Sequence, residues 1–343
     1  MTSTLSIRVA LLFSLAIVLA SFAAHADMTF KIATIAPDGT RWMTEMRAAA
    51  KEIKQQTEGR VSFKFYPGGV MGNDRSVMRK IRIGQLHGSV FTGGGLADVY
   101  PDIRIYGLPM LFANLDEVDY VRERMDEVFE KGMEEAGFIN FGFAEGGFAL
   151  LMCQKVIKSS ADLQDEKAWI PEGDIVAYAG IKALGVSPVV LPITDVLTGL
   201  QTGLVSTVAA SALAAVAFQW HTRVKYVTDV PISYLLGIFT IDKRAFNRVD
   251  AGDQAIVRDV LSDVFDRLNA LNRADDEAAR QALMEQGIKF VVPPDEVIAE
   301  WRATSQQVID KMGKEGAYNL ELANKILDLI MEYRQQKIAA QGE

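Results

Sequence analysis

The stretch that most limits the fold is residues 167–220, where apolar segments change period at joints marked by glycine and proline. Ala168-Trp169-Ile170-Pro171 reads as a short strand, and an apolar helical pattern then runs to Leu184-Gly185. Pro188-Val189-Val190-Leu191-Pro192 reads as a second strand, and Thr194-Asp195-Val196-Leu197 opens a second helix that ends at Gln201-Thr202-Gly203. An alanine-rich run over residues 208–218 brings the pattern back to a strand. Strand, helix, strand, helix, strand is the order of an open α/β sheet, in which ligands collect outside the carboxyl ends of the strands.

At 343 residues, 49% of them hydrophobic, the chain is too long for one ordinary core and suits two lobes. Residues 1–26 read as an export signal: Arg8, an apolar stretch over residues 9–20, and Ala24-His25-Ala26 as a small-x-small cleavage pattern before Asp27. The expected location is the periplasm, with cleavage near Ala26. The competing reading, a membrane anchor, needs about 20 apolar residues, and this run is shorter. A net charge of −8 with no basic stripe argues against nucleic acid as a partner. The one cysteine, Cys153, rules out an internal disulfide and reads as a small buried hydrophobe in Leu150-Leu151-Met152-Cys153.

In chain order, Phe30-Lys31-Ile32-Ala33-Thr34 and Val61-Ser62-Phe63-Lys64-Phe65 alternate as strands. Between them lies a helix capped near Thr40, with Trp42, Met46, Ala49 and Ile53 on one face. A helix with Val77 and Ile81 leads to the strand Gly88-Ser89-Val90-Phe91 and to Thr92-Gly93-Gly94-Gly95, read either as a ligand-contacting loop or as a plain flexible turn. Asn114 and Glu117 form a capping box ahead of a helix with Val118, Val121, Met125, Val128 and Phe129 inward. Gly137 to Phe143 reads as a buried strand, the lobes cross near Ala144-Glu145-Gly146-Gly147-Phe148, and residues 235–240 form a returning strand. From Asp253 to about Gln286 a long amphipathic helix is expected, followed by a strand at residues 288–292, a Pro293-Pro294 break and two closing helices.

The order of these pieces resembles the solute receptors of TRAP (tripartite ATP-independent periplasmic) transporters, of the DctP type. Lys167, Pro171, Leu184-Gly185, Val196, Leu200-Gln201-Thr202-Gly203 and Val205 carry the resemblance. It implies a periplasmic-binding-protein-like class II α/β fold: two lobes with mixed sheets, a central cleft and a long lobe-spanning helix. The expected division is residues 27–146 plus 236–270 for lobe I and 147–235 plus 271–335 for lobe II. It also implies solute capture by lobe closure and delivery to TRAP-type membrane permease subunits, with a periplasmic accessory protein as a further partner. No cofactor, metal or catalytic residue is expected.

The family grips small carboxylates with an arginine in a Lys-x-Arg-x-Pro motif, a second arginine after the lobe crossing, and an asparagine in Glu-Asn-Pro. Carried over, these positions fall on Trp169, Ala149 and Ala210, and the family's Val-Asp-Gly acid falls on Ser206. A buried carboxylate with no partner is strongly unfavourable, so the substitutions point to an apolar or lipid-like ligand. Arg41 and Arg75 are the arginines considered as substitutes. The expected ligand set is Pro37, Thr92, Gly93, Gly94, Glu145, Phe148, Ala149, Trp169, Asp195, Ala209, Ala210, Leu213 and Phe218. Two alternatives stand beside it: a sealed cleft in a protein that works through a partner, and a hydrolase using Glu145 and Asp195. No Gly-x-Ser-x-Gly or His-Glu-x-x-His motif supports the second.

Overall fold

The computed structural model describes residues 27–341, so the expected export signal lies outside the described residues. The chain opens with β1 (Met28–Ala33), α1 (Arg41–Gln56), β2 (Val61–Tyr66), α2 (Asp74–Arg82), β3 (Gly88–Thr92) and a short turn of helix α3 (Gly93–Leu96). A 3-10 segment, Pro101–Gly107, leads to α4 (Leu115–Glu135) and the long strand β4 (Phe138–Cys153). Then come α5 (Ser160–Leu163), β5 (Trp169–Pro171), α6 (Ile175–Ala183), β6 (Val189–Leu191), α7 (Val196–Thr202), β7 (Thr207–Ala210) and α8 (Ala212–Ala217). The second long strand, β8 (Tyr226–Asp242), is followed by α9 (Lys243–Phe246), α10 (Ala251–Glu285), β9 (Lys289–Val291), α11 (Asp295–Lys314) and α12 (Leu320–Gln341).

Two strands hold the lobes together. β4 and β8 pair antiparallel from Phe138↔Asp242 to Cys153↔Tyr226. One end of this ribbon joins β3, β1 and β2, and the other joins β7 and β9. The β5–β6 pair attaches through a parallel bridge from Ala168 to Thr207. Register shifts fall between Asn140 and Gly142, Glu145 and Gly147, and Ala149 and Leu151. Opposite the last shift the ladder passes from Ser233 to Thr228, and Pro231 sits in that gap, where its missing N–H breaks no hydrogen bond. This is why β8 extends well before residues 235–240: the proline marks an irregularity inside the strand rather than its start.

The first lobe's sheet is covered on both faces. Phe30, Ile32 and Phe239 pack with Met43 and Met46 of α1 and with Val257, Leu261 and Phe265 of α10. On the other face Phe91, Ile105, Val118, Val121 and Phe129 pack with Ile326 and Ile330 of α12. Val128, expected inward, is 39% exposed; the helical period gives the inward place to Phe129. Residues 320–335, expected with lobe II, lie against α4, where Arg334 Nε donates to Glu117 Oε1 at 2.7 Å. Glu117 N donates to Asn114 Oδ1 at 3.0 Å, as the capping pattern requires. In the second lobe Met152, Val196, Val208, Trp220 and Leu283 form the centre. Cys153 is 2% exposed, and burial pushes its thiol up to about 11. Among the described residues no helix is long and apolar enough to cross a membrane.

Candidate functional site

Between the lobes lies a cleft of about 530 Å³. Its lobe I wall comes from the end of β1 (Thr34 to Pro37), Trp42 of α1, Val90 to Gly94, and Ile103, Arg104 and Tyr106 of the 3-10 segment. Its lobe II wall is Trp169, Pro171, Val176, Ala209, Ala210 and one face of α8 with Leu213, Ala217 and Phe218. The hinge supplies Ala144, Glu145 and Gly146 from β4 and Ser233 to Ile238 from β8, and α10 adds Asn272 and Asp275. Helix α8 is fixed at its start: Ser211 caps it through Ala214 N, and Leu213 N donates to Asp276 Oδ1 at 2.8 Å. Its apolar side chains are thereby left facing the space.

Trp169 is held firmly. Its Nε1 donates to the Leu191 carbonyl at 2.9 Å, its ring meets Trp220 edge-on at 5.1 Å, and Trp220 stacks on Phe218 at 5.4 Å. The motif residues on either side have structural work. Lys167 Nζ donates to the Gly203 carbonyl at 2.8 Å, tying β5 to the end of α7. Thr207 Oγ1 and Ser206 Oγ both donate to Glu166, whose other oxygen pairs with Lys155.

The Thr92–Gly95 segment is a turn of helix rather than a loop. Thr92 caps it, and its glycines are where other groups come close. A Cβ on Gly95 would sit 1.9 Å from Asp74 Oδ2, and one on Gly94 would meet Asp174 N of the opposite lobe at 3.2 Å. The lips of the cleft touch here. Asn73 Nδ2 donates to Glu172, and Arg75 lies 3.7 Å from the same carboxylate. Burial pushes the Asp74 carboxyl up to about 6, against hydrogen bonds from Thr92, with Glu172 adding to the rise.

Ten of the thirteen sequence-expected site residues line this cleft: Pro37, Thr92, Gly93, Gly94, Glu145, Trp169, Ala209, Ala210, Leu213 and Phe218. Three do not. Phe148 packs toward the lobe I core beside Tyr234, ring centroids 5.8 Å apart. Ala149 lines a separate, smaller cavity. Asp195 is exposed ahead of α7, beside Thr194. Glu145 lines the cleft, but its carboxylate is engaged by Arg122 and Arg273. Glu145 and Asp195 are therefore not a facing pair.

Several lining residues were missed from sequence, among them Trp42, Arg104, Trp220, Tyr234 and Asn272. Among the described residues Trp42 Nε1 and Arg104 Nε are buried donors with no hydrogen-bond partner. Burial holds Arg104 below the ordinary arginine value, with Asp98 and Asp174 pulling the other way. Arg41, considered as an anion partner, is bound by Asp275 through Nε at 2.5 Å and Nη2 at 3.0 Å.

A two-lobed sheet crossed by a pair of long strands, with a cleft at the crossing, agrees with what the comparisons find. The family model described as "Bacterial extracellular solute-binding protein, family 7", DctP, matches residues 32–315. The chain belongs to that family. It is a TRAP-type periplasmic solute receptor, a class of binding proteins rather than enzymes. The C4-dicarboxylate-binding periplasmic protein DctP of Rhodobacter capsulatus is 22% identical over 291 residues, covering 82% of this chain and 84% of that protein. A TRAP receptor from Ralstonia eutropha H16, solved with (S)-2-acetolactate, superposes with a TM-score of 0.82 at 21% identity, covering 89% and 99%. One from Chromohalobacter salexigens, solved with D-glucuronate, gives 0.81 at 20%, covering 88% and 99%. These structural likenesses establish the fold; the family's receptors work with membrane permease components.

Proposed function

We propose that this receptor captures an apolar, lipid-like small molecule by lobe closure and delivers it to a TRAP-type permease. One observation carries the reading: where the family resemblance puts the anion-gripping residues, the cleft presents Trp169 and Ala210, and the one polar atom of the Trp169 side chain is already bonded to Leu191. The acids held by the solved relatives need a cationic partner; Arg41 is bound by Asp275, and Arg104, the other arginine of the lining, has Nη1 on the Ala97 and Ala317 carbonyls and its Nε buried. A space of about 530 Å³ supports an open cleft over a sealed one and lies in the usual range for small-molecule sites. Each methylene transferred into it contributes about 0.8 kcal/mol.

The cleft's polar lining residues, Ser233 and Asn272 among them, favour a ligand that is apolar but not a bare hydrocarbon. A carbonyl, ester or hydroxyl oxygen gives such groups a partner, each bond contributing about 1 kcal/mol. Purified protein should retain species from a native lipid extract when examined by native mass spectrometry, and titration calorimetry with succinate and D-glucuronate should be flat. Micromolar uptake of either acid, with no lipid retained, overturns the reading.

A further inference from the structure

A second cavity, of about 120 Å³, lies under lobe II beside the main cleft. Trp169, Pro171, Ala209 and Leu235 belong to the walls of both, so the two spaces are neighbours across these side chains. Protein interiors rarely leave voids much larger than a water molecule, whose share of liquid volume is about 30 Å³. The rest of this chamber's wall is mainly apolar, from Ala149 and Leu151 of β4, Ala177 and Gly180 of α6, and Trp301 of α11. Such walls give water few partners and favour apolar groups.

Small residues keep the chamber open. Ala149, where the family resemblance places an arginine, lines it with only a methyl group, and it is 1% exposed. On α6, Ala177 and Gly180 lie three positions apart on one face. A Cβ on Gly180 would meet nothing within 4 Å. The sequence therefore leaves empty a space that larger side chains at these positions would fill.

Building on the apolar reading of the main cleft, we propose that the ligand's chain passes Trp169 and ends in this chamber. The receptor then selects long unbranched chains over compact apolar molecules, the chamber taking roughly four methylenes at a volume share near that of water. The probe is hexadecan-1-ol with a terminal diazirine, and octan-1-ol is the short comparison. In the wild type, photolabelling should mark peptides covering residues 149–151 or 177–184. Ala149→Phe and Gly180→Leu fill the chamber from two different walls, and circular dichroism and thermal unfolding report whether each folds. In either folded variant the label should move to residues 209–220, and hexadecanol affinity should fall tenfold or more while octanol stays within twofold. A wild-type label confined to residues 209–220, or an unchanged label in a folded filled variant, overturns the chamber but leaves the apolar cleft standing. If neither alcohol binds the wild type, the apolar reading fails and this proposal fails with it.

Discussion

Arg273 on α10 grips Glu145 of the hinge strand at two points, Nε to Oε2 and Nη2 to Oε1, both at 2.6 Å. Arg122 reaches the same carboxylate from α4 at 3.1 Å, and Arg273 also binds Asp119. The side chain of Glu145 is 3% exposed, so its charge is balanced inside the protein rather than offered to the cleft. Arg273 keeps Asp119 and Arg122 keeps Asp126 when Glu145 is neutralised, so the cost falls at the low end of the roughly 3–5 kcal/mol of breaking a buried pair. Glu145→Gln should therefore lower the urea midpoint by the equivalent of about 3 kcal/mol and leave lipid retention within a few-fold in the folded fraction. A stability change under 1 kcal/mol, with retention abolished, would return Glu145 to the ligand set.

Asp74 makes stability fall as pH rises over one window. Its carboxyl, ordinarily near 3.8, is pushed up to about 6 by burial, with Glu172 across the lips adding to the shift and Thr92 opposing it. The folded chain then binds more protons than the unfolded chain between about pH 4 and pH 6. Relative to Asp74→Asn, which keeps an acceptor for Thr92, the wild type should lose on the order of 2 kcal/mol across that window. Chemical denaturation at pH 4.5 and pH 7 for both proteins measures the difference. Parallel profiles would show that Asp74 titrates normally.

Trp169 is both wall and core. Trp169→Ala removes the ring that meets Trp220 and leaves a cavity between two spaces that already exist, for an expected loss of about 3–5 kcal/mol. Trp169→Phe keeps most of the packing and loses the bond to the Leu191 carbonyl, a change of about 1 kcal/mol. Lipid retention should follow the same order, weakened by Phe and lost with Ala, when stability and native mass spectra are compared on the same preparations. Full retention in folded Trp169→Ala would take the indole out of the site.

The alternation of residues 167–220 was legible because each element there is short and bounded by glycine or proline; β5, α6, β6, α7 and β7 fall in that order. The capped starts of α1 and α4 were legible for the same local reason, through Thr40 and Asn114. The continuity of β8 was not, because Pro231 reads locally as a boundary and only its neighbour β4 shows it to be an irregularity. Ala149 was read into the main cleft, yet it lies between two register shifts in β4 that no local pattern announces; each shift resets which face a residue takes. Arg104, Tyr234 and Trp42 reach the cleft from elements far apart in sequence, and nothing in their own surroundings distinguishes them from core or surface residues. The site was thus readable where one segment builds a wall and hidden where folding brings walls together.

The lips supply a test of closure that leaves the cleft untouched. Asn73 and Arg75 of lobe I both meet Glu172 of lobe II, and these contacts exist only while the lobes are together. A contact made in one conformation alone shifts the equilibrium toward it by its own free energy. The Arg75 pair is long and exposed, so the hydrogen bond from Asn73 is the larger part, and the whole contact stabilises closure by about 1 kcal/mol. Glu172→Ala removes both interactions and spares Asn73's other role, capping α2 through Ser76 N at 3.0 Å. The variant should unfold at the wild-type temperature and release a retained lipid about fivefold faster, with little change in the rate of capture. Stopped-flow release of a fluorescent long-chain alcohol measures this. An unchanged release rate would mean that the lips are not part of what holds the lobes closed on the ligand.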